Sequence, residues 1–551
     1  MDSVDLQGWG KTMKPLLLDC TLRDGAYIVE SKFGNSVIRG IIHKLEEAGA
    51  EVIECGWLKD KPHQRDSTFY HIPADLEHYL SGKKKNITYT VMIDWDRYNV
   101  SSLPICDGKS IDAIRVVFPH GKHREGVNVG KKIAEKGYQV FFQAANTMAY
   151  SDEELVDLAV TVNDSPAVSL SVVDTFGAMY EEDLDRVASV LHRYLNPEIA
   201  LGFHSHNNQQ LSFALSQYFV RMFKRTGRQV IVDASLCGMG RGAGNATTEL
   251  VASYLNRKCG CHYDLDAIMD AIDIYMGYFQ ERYSWGYSTP YFISGLYCCH
   301  VNNIAYLLNN HRANAKDMRR IIESMDPDDR KKYDYDLLEK KYLSIMNRYV
   351  DDSASAHYLR KGFKSRDVLL LAPGKSVITE QSRIANFIDE KKPVVIGVNS
   401  MVSNYQYDYV FFVNPARYEY AKTNSKERFD SACRIVLSNI KTEPEGNEVI
   451  VGYDHATKRG WEHYDNAVIC ALRMLDWLGI EKVTIAGFDE FKGVYNDSYA
   501  DPMLPTLIID DRWKDLNNEI QDMFLDFREN AISCRNITML TENCFGGDQK
   551  Q

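Results

Sequence analysis

Ala200-Leu201-Gly202-Phe203-His204-Ser205-His206-Asn207 decides how this chain is read. An apolar run leads into a His-x-His pair, and in a strand residues i and i+2 point to the same face. Two imidazoles on one face, where the apolar run ends, can bite one metal ion. A third ligand must come from elsewhere. Asp24 offers it, in Asp19-Cys20-Thr21-Leu22-Arg23-Asp24-Gly25, just past the apolar run Pro15-Leu16-Leu17-Leu18. One Asp with two His leaves coordination positions open for substrate, which distinguishes a catalytic metal from a structural one. Alone, His-x-His is equally at home as a chance pair on a surface strand. The Arg-Asp-Gly stretch in the same repeating pattern turns the reading towards a metal.

Outward from this stretch the pattern repeats. Apolar, strand-like runs occur at 16–20, 51–57, 87–93, 111–118, 138–144, 168–174, 200–204 and 230–236. Most of the intervals carry apolar residues at three- and four-residue spacing, such as Val37-Ile38, Ile41-Ile42 and Leu45, or Leu155 and Leu158-Ala159. Ser151-Asp152-Glu153-Glu154 has the spacing of a capping box at a helix start. Eight β-then-α units between residues 14 and 258 match the size and count of a TIM barrel. A doubly wound sheet is the alternative, but it seldom needs eight such regular units.

A barrel carries its chemistry at the C-terminal ends of its strands. The polar residues there are Arg23, Asp24, Glu54, Asp94, Arg115, Gln143, Asn146, Asp174, Thr175, His204, His206, Asp233 and Ser235. Any one of them suits a rim salt bridge equally well, but as a ring they read as a site for a polar, anionic ligand. After the eighth run comes Leu236-Cys237-Gly238-Met239-Gly240-Arg241-Gly242-Ala243-Gly244-Asn245. Glycines at alternate positions let backbone approach a ligand closely, and the following helix offers N–H groups to an anion.

The whole chain sets bounds on these readings. At 551 residues two or three domains are expected. Hydrophobic residues at 45% and charged residues at 25% are ordinary for a globular protein, and the net charge of -12 argues against nucleic acid held by a general basic field. No apolar run is long enough to span a membrane, and Met1-Asp2-Ser3-Val4-Asp5 carries no export signal, so a cytoplasmic protein is expected. The twelve cysteines read as reduced thiols. Cys259-Gly260-Cys261-His262 and Cys298-Cys299-His300 lack the paired Cys-x2-Cys spacing of structural zinc.

Asp-x-Thr-Leu-Arg-Asp-Gly at 19–25, Gly-Phe-His-Ser-His at 202–206 and Gly-x-Gly-Arg-Gly-Ala-Gly-Asn-Ala at 238–246 together resemble the metal-dependent lyases and aldolases related to HMG-CoA lyase. Within that family the resemblance is greatest to the 4-hydroxy-2-oxovalerate aldolases, and it covers roughly residues 14–300. It implies that Asp24, His204 and His206 hold a divalent ion, Mn²⁺ or Mg²⁺ with Zn²⁺ as a third choice, and that Asn245 lies near or ligates it. Arg23 would stabilise an enolate oxygen, and Glu54 would complete the Asp-Arg-Glu set of the superfamily. Arg115, Gln143, Asp174 and Gly244 are expected to bind substrate. The chemistry is coherent: a 2-oxo acid can chelate the open metal positions, and metal with Arg23 would stabilise charge developing on the enolate of pyruvate.

The chain departs from the aldolase pattern at Tyr27, where the aldolases carry a His three residues after the metal Asp. An unperturbed Tyr, with a pKa of about 10, is a poor base at neutral pH unless a cation lowers it. Tyr27 is therefore expected either to position substrate or to shuttle a proton. Tyr283-Ser284-Trp285-Gly286-Tyr287-Ser288-Thr289-Pro290-Tyr291 is dense in aromatics, and by the resemblance Tyr287 or Tyr291 would reach the site, with core packing the alternative.

Three domains are expected: the barrel over 14–260, a helical extension over 261–365 and a smaller Rossmann-like α/β domain over 366–551. In the last, strand-like runs alternate with helices, which predicts a mostly parallel sheet. Its first loop, Ala372-Pro373-Gly374-Lys375-Ser376, lacks P-loop spacing. Together with Asn399 and Asn414 it loosely resembles the nucleotide-binding loops of sialyltransferase-like domains, which would put a nucleotide or nucleotide-sugar against Gly374, Ser376, Asn399 and Asn414.

The expected activity is a metal-dependent aldolase joining or cleaving pyruvate and an aldehyde, with a sugar-derived aldehyde and polysaccharide synthesis suggested by the domain pairing. The alternatives are a Claisen-type acyltransferase resembling isopropylmalate synthases, and a silent barrel serving a nucleotide-sugar-binding domain. A homo-oligomer is expected.

Overall fold

Parallel strands β1 (Leu16–Asp19), β2 (Val52–Leu58), β3 (Thr88–Asp94), β4 (Ala113–Phe118), β5 (Gln139–Ala144), β6 (Ala167–Asp174), β7 (Ala200–Ser205) and β8 (Val230–Ala234) follow the eight apolar runs. Strand β1 pairs with β8 on one side (Leu16 opposite Ile231) and with β2 on the other (Leu18 opposite Val52), so the sheet closes on itself. This is a TIM barrel. The protein is described by a computed structural model covering residues 13–311, 313–364, 366–441, 447–461, 466–493, 495–505, 513–543 and 545. It divides into one unit over Met1–Ile304 with Pro327–Lys332 and another over Ala305–Asp326 with Tyr333–Gln551.

The period of two along each strand separates two cores in the first unit. Leu17 belongs to the large core, whereas Leu18, Val52, Ala113, Phe141, Ala200 and Ile231 form a small one of their own. Helices α1 (Asn35–Ala48), α2 (His123–Ala134), α3 (Asp152–Asn163), α4 (Glu181–Tyr194), α5 (Ser212–Phe223) and α6 (Thr248–Cys259) supply much of the large core. Helix α1 buries Ile38, Ile41, Ile42 and Leu45, the residues whose spacing predicts it. Helix α3 starts on its capping box: Ser151 Oγ accepts from Glu154 N (3.2 Å) and Glu154 Oε2 accepts from Ser151 N (2.8 Å).

The regular alternation fails twice. The only helical element between β2 and β3 is the 3₁₀ turn Pro73–Leu76, and between β3 and β4 it is Val100–Ser102. The polar, proline-containing stretch Lys59-Asp60-Lys61-Pro62-His63-Gln64-Arg65-Asp66 carries no apolar stripe with which a helix could bury itself. In its place Phe69–Tyr70 adds a two-residue strand to β2. Gly56 makes this approach feasible: at φ +144° any Cβ would stand 2.1 Å from Thr68 O. The β2–β3 register shifts between Glu54 and Trp57, a bulge that flanks Glu54.

The second unit is built on a seven-stranded, all-parallel sheet. Its strands are β9 (Val368–Leu371), β10 (Val394–Val398), β11 (Tyr409–Phe412), β12 (Cys433–Leu437), β13 (Glu448–Val451), β14 (Lys482–Ala486) and β15 (Asn536–Met539). Their order is β13-β12-β11-β10-β9-β14-β15. Val368 and Leu370 enter one core while Leu369 and Leu371 enter another, as a sheet buried on both faces requires. Strand order reverses at β9, which has β10 on one side and β14 on the other, and such a switch point opens a crevice at the strand C-termini. Among the described residues no helix is long and apolar enough to cross a membrane.

Candidate functional site

The barrel's C-terminal mouth gathers most of the residues named from sequence. Asp24 follows β1, His204 lies at the end of β7 and His206 just past it; their ligand atoms lie within 4.8 Å of one another. Asn245, in the loop after β8, donates through Nδ2 to Asp24 Oδ2 (2.7 Å) and forms an isolated bridge with His206. Asn207 N donates to Gly244 O (2.7 Å) and Ala243 N to Asn208 Oδ1 (2.8 Å), so the end of β7 holds the glycine-rich loop. Gly244 has φ +81°, and a Cβ there would meet Gly238 O at 1.9 Å. Only glycine lets the loop close at that point.

A buried charge relay supports the cluster. Arg23 Nη1 donates to Asp24 Oδ1 (2.5 Å) and Nε to Glu54 Oε2 (2.7 Å). Arg115 Nη1 donates to the same Glu54 oxygen (2.8 Å), and its Nη2 donates to Asp233 Oδ2. Asp233 Oδ2 also lies 3.1 Å from His204 Nδ1, out of line for a good hydrogen bond. Three carboxylates thus share two guanidinium groups, leaving an excess of negative charge that suits a cation.

Burial alone would raise the Asp24 carboxyl, but Arg23 and His206 hold it well below the usual carboxylate range. Burial likewise raises Asp233, and Arg115 and His204 outweigh it to leave it low. Burial pushes His204 down to about 4 against the upward pull of Asp233, so its imidazole is neutral at pH 7 and fit to ligate. His206 Nε2 and Asn245 Oδ1 are buried with no hydrogen-bond partner in the protein, as is Arg23 Nη2. A carboxylate, two imidazoles and an amide oxygen, with orphaned lone pairs among them, fit a divalent metal ion.

The other named residues divide. Asp174 turns its carboxylate to the N–H groups of Ala178 (2.9 Å) and Met179 (3.2 Å), while its carbonyl lies 3.3 Å from His206 Nδ1. Burial raises it to about 6 against those N–H groups. Gln143 is buried and donates to Ser171 Oγ (2.8 Å). Tyr27 packs edge-on to Trp57 and beneath the Arg241 guanidinium, 5.0 Å from its ring centre. Although 43% of its surface is open to solvent, desolvation by the surrounding protein pushes its phenol up to about 12, against the lowering pull of Arg241. Tyr287 is 63% exposed, and no contact links it to the cluster; Trp285, two residues earlier, donates instead to Cys237 O (2.9 Å) in the glycine-rich loop.

Sequence reasoning missed Arg241, His300, Asn302 and Asn208. Arg241 Nη2 lies 3.0 Å from both His300 Nε2 and Asn302 Oδ1. Asn208 bridges Phe176 O and the glycine-rich loop. The only sequence signal for Arg241 was its place among the loop glycines.

In the second unit a cavity of about 210 Å³ lies at the C-terminal ends of the strands, lined by Gly374, Asn399, Asn414, Arg417, Asn439 and Tyr499 among others. Ser376 is not in its lining: its N–H (2.7 Å) and hydroxyl are both bonded to Asp489 and so are not offered to a phosphate.

Residues 121–274 match the HMGL-like family model. A Mycobacterium tuberculosis protein named oxaloacetate decarboxylase is 26% identical over 262 residues, covering 47% of this chain and 75% of the relative. A Thermomicrobium roseum 4-hydroxy-2-oxovalerate aldolase is 28% identical over 265 residues, covering 47% of this chain and 72% of the relative. The crystal structure of the HMG-CoA lyase from Brucella melitensis is similar at 16% identity and a TM-score of 0.36, covering 49% of this chain and 99% of that one.

Proposed function

We propose that this chain generates the enolate of pyruvate and joins it to, or releases it from, an aldehyde, a reading supported by the match of residues 121–274 to the HMGL-like family model and by the similarity to a 4-hydroxy-2-oxovalerate aldolase. The observation that carries the reading is the set Asp24, His204 and His206 within 4.8 Å, beside a buried Arg23 whose Nη2 has no partner. Asp24, His204, His206 and Asn245 would hold Mn²⁺ or Mg²⁺, which when bound supplies Lewis-acid stabilisation of a developing oxyanion.

This chain's own residues position and polarise the reactants. Arg23 Nη2 donates to the oxygen on which negative charge grows, a contact worth several kcal/mol when aligned in a dry site. Glu54 fixes Arg23 through Nε, and Arg115 fixes Glu54. Tyr27, raised to about 12, keeps its proton at neutral pH; its hydroxyl orients the aldehyde oxygen and donates to it rather than abstracting a proton.

The test is cleavage of 4-hydroxy-2-oxopentanoate by metal-loaded full-length protein, followed as pyruvate release. Release that chelator abolishes, and that Asp24→Asn lowers at least hundredfold, is expected. Metal-independent release would overturn the reading. Decarboxylation of oxaloacetate with no aldol cleavage would favour the second reading, suggested by the relative of that name.

For the second unit we propose a ligand of the nucleotide class in the cavity at the β9 switch point. Asn439 Oδ1 supports it: Asn439 is 8% exposed, its Nδ2 is anchored on Val413 O (2.9 Å), and the oxygen is left without a donor. Calorimetry of the full chain with ATP, GTP, CTP and UTP should detect one binder that Asn439→Leu abolishes; heat from none of the four counts against it.

A further inference from the structure

The two arginines deepest in the barrel mouth are electrically satisfied: Arg23 by Asp24 and Glu54, Arg115 by Glu54 and Asp233. Arg241 is not. It stands half-buried in the loop after β8, and no carboxylate of the described residues lies within ion-pair distance of it. Its hydrogen-bond partners His300 Nε2 and Asn302 Oδ1 are neutral groups that orient the guanidinium without cancelling its charge. His300 is held neutral by its burial and by Arg241 itself. A neutral imidazole accepts at one nitrogen only, from Arg241 or from the Asn302 N–H (3.2 Å) at Nδ1, and neither choice supplies a counter-charge.

The position of this charge is informative. Arg241 shares a small cavity with His206, Thr175, Asn208 and His300, so it faces the same space as a member of the metal-ligating set. Its guanidinium also lies over Tyr27, three residues from Asp24. A guanidinium kept in fixed orientation by two neutral acceptors, without a carboxylate and beside the metal-ligating set, is arranged for an anion from outside the protein. Arg23 already serves the pyruvate end in the reading above, so Arg241 is left for the other reactant.

We propose that Arg241 is a specificity-determining residue that receives an anionic group, carboxylate or phosphate, on the aldehyde partner. This deepens the aldolase reading and rests on it. Neutral aldehydes would lack this anchor, and Tyr27 would orient the carbonyl of an aldehyde whose far end Arg241 holds. His300 and Asn302 are positioning residues, acting only through Arg241.

The experiment compares condensation of pyruvate with neutral acetaldehyde, with succinic semialdehyde and with D-glyceraldehyde 3-phosphate, in the full-length protein loaded with Mn²⁺. The parent should show kcat/KM at least tenfold higher for one of the anionic aldehydes than for acetaldehyde. Arg241→Gln should collapse that ratio through the KM of the anionic aldehyde, and Arg241→Lys should restore part of it. Which anionic aldehyde leads tells carboxylate from phosphate. Equal use of neutral and anionic aldehydes by the parent, or a ratio unchanged in a folded Arg241→Gln, overturns the proposal. A rise in pyruvate KM alone, read by deuterium exchange at its methyl group, also overturns it by assigning Arg241 to pyruvate. If the parent shows no metal-dependent exchange, the aldolase reading fails separately. Arg241 is then judged by calorimetry with inorganic phosphate: binding lost in Arg241→Gln keeps the anion site, and no binding by the parent removes it.

Discussion

His300 shows how one side chain records its surroundings. Burial first, and the Arg241 charge second, lower it from its ordinary value near 6.5 to about 3. Between those values the unfolded chain takes a proton that the folded chain refuses, so this group's contribution to stability is complete above pH 6.5 and is lost as pH falls towards 3. His204, at about 4, acts in the same direction, whereas Asp19 and Asp174, raised by burial to about 6, act in the opposite one below pH 6. The difference between parent and His300→Asn isolates one group. The variant should gain about 3 kcal/mol relative to the parent between pH 6.5 and 4, measured by urea unfolding at each pH. A constant difference across that range would contradict the assignment. At this scale Asp24, His204 and His206 were legible, because strand period and the ends of apolar runs fix them. Arg241, His300 and Asn302 were not, since their contacts join residues about sixty positions apart with no local pattern.

The glycine-rich loop is the element on which the site depends. Its backbone is held to the end of β7 by Asn207 and Asn208, and it carries Asn245 to Asp24. Gly244→Ala would force Cβ against Gly238 O and strain a left-handed backbone, costing about 2–3 kcal/mol. Mn²⁺ affinity of that variant, by calorimetry, should fall at least tenfold while the far-ultraviolet circular dichroism stays that of the parent. Unchanged affinity would separate the loop from the metal set. Among elements, the α3 capping box was readable because it is local, three residues from donor to acceptor. The missing helices after β2 and β3 are readable only once polar, proline-bearing stretches are given as much weight as the repeat.

Across the whole molecule, the two sheets have separate hydrophobic cores, one set around the barrel and another on both faces of the seven-stranded sheet. Metal bound by the barrel stabilises the state that holds it by mass action. Hydrogen exchange of the full chain with and without Mn²⁺ should therefore slow in peptides from β1, β7 and the 236–246 loop. Peptides from β9 to β15 should be unchanged. Protection in the second sheet instead would relocate the metal. The barrel was legible as a whole because eight units repeat; the crevice of the second sheet was less so, because the switch at β9 is a property of strand order, which no local pattern encodes.

The central claim, that Asp24, His204 and His206 hold a metal which lets this chain form the enolate of pyruvate, meets its most direct test in deuterium exchange at the pyruvate methyl group, followed by NMR in D₂O. No second substrate is needed. The account predicts exchange that requires Mn²⁺ or Mg²⁺ and falls at least hundredfold in His204→Ala. A metal-loaded protein that exchanges no pyruvate protons, or exchanges them equally well without His204, would contradict it.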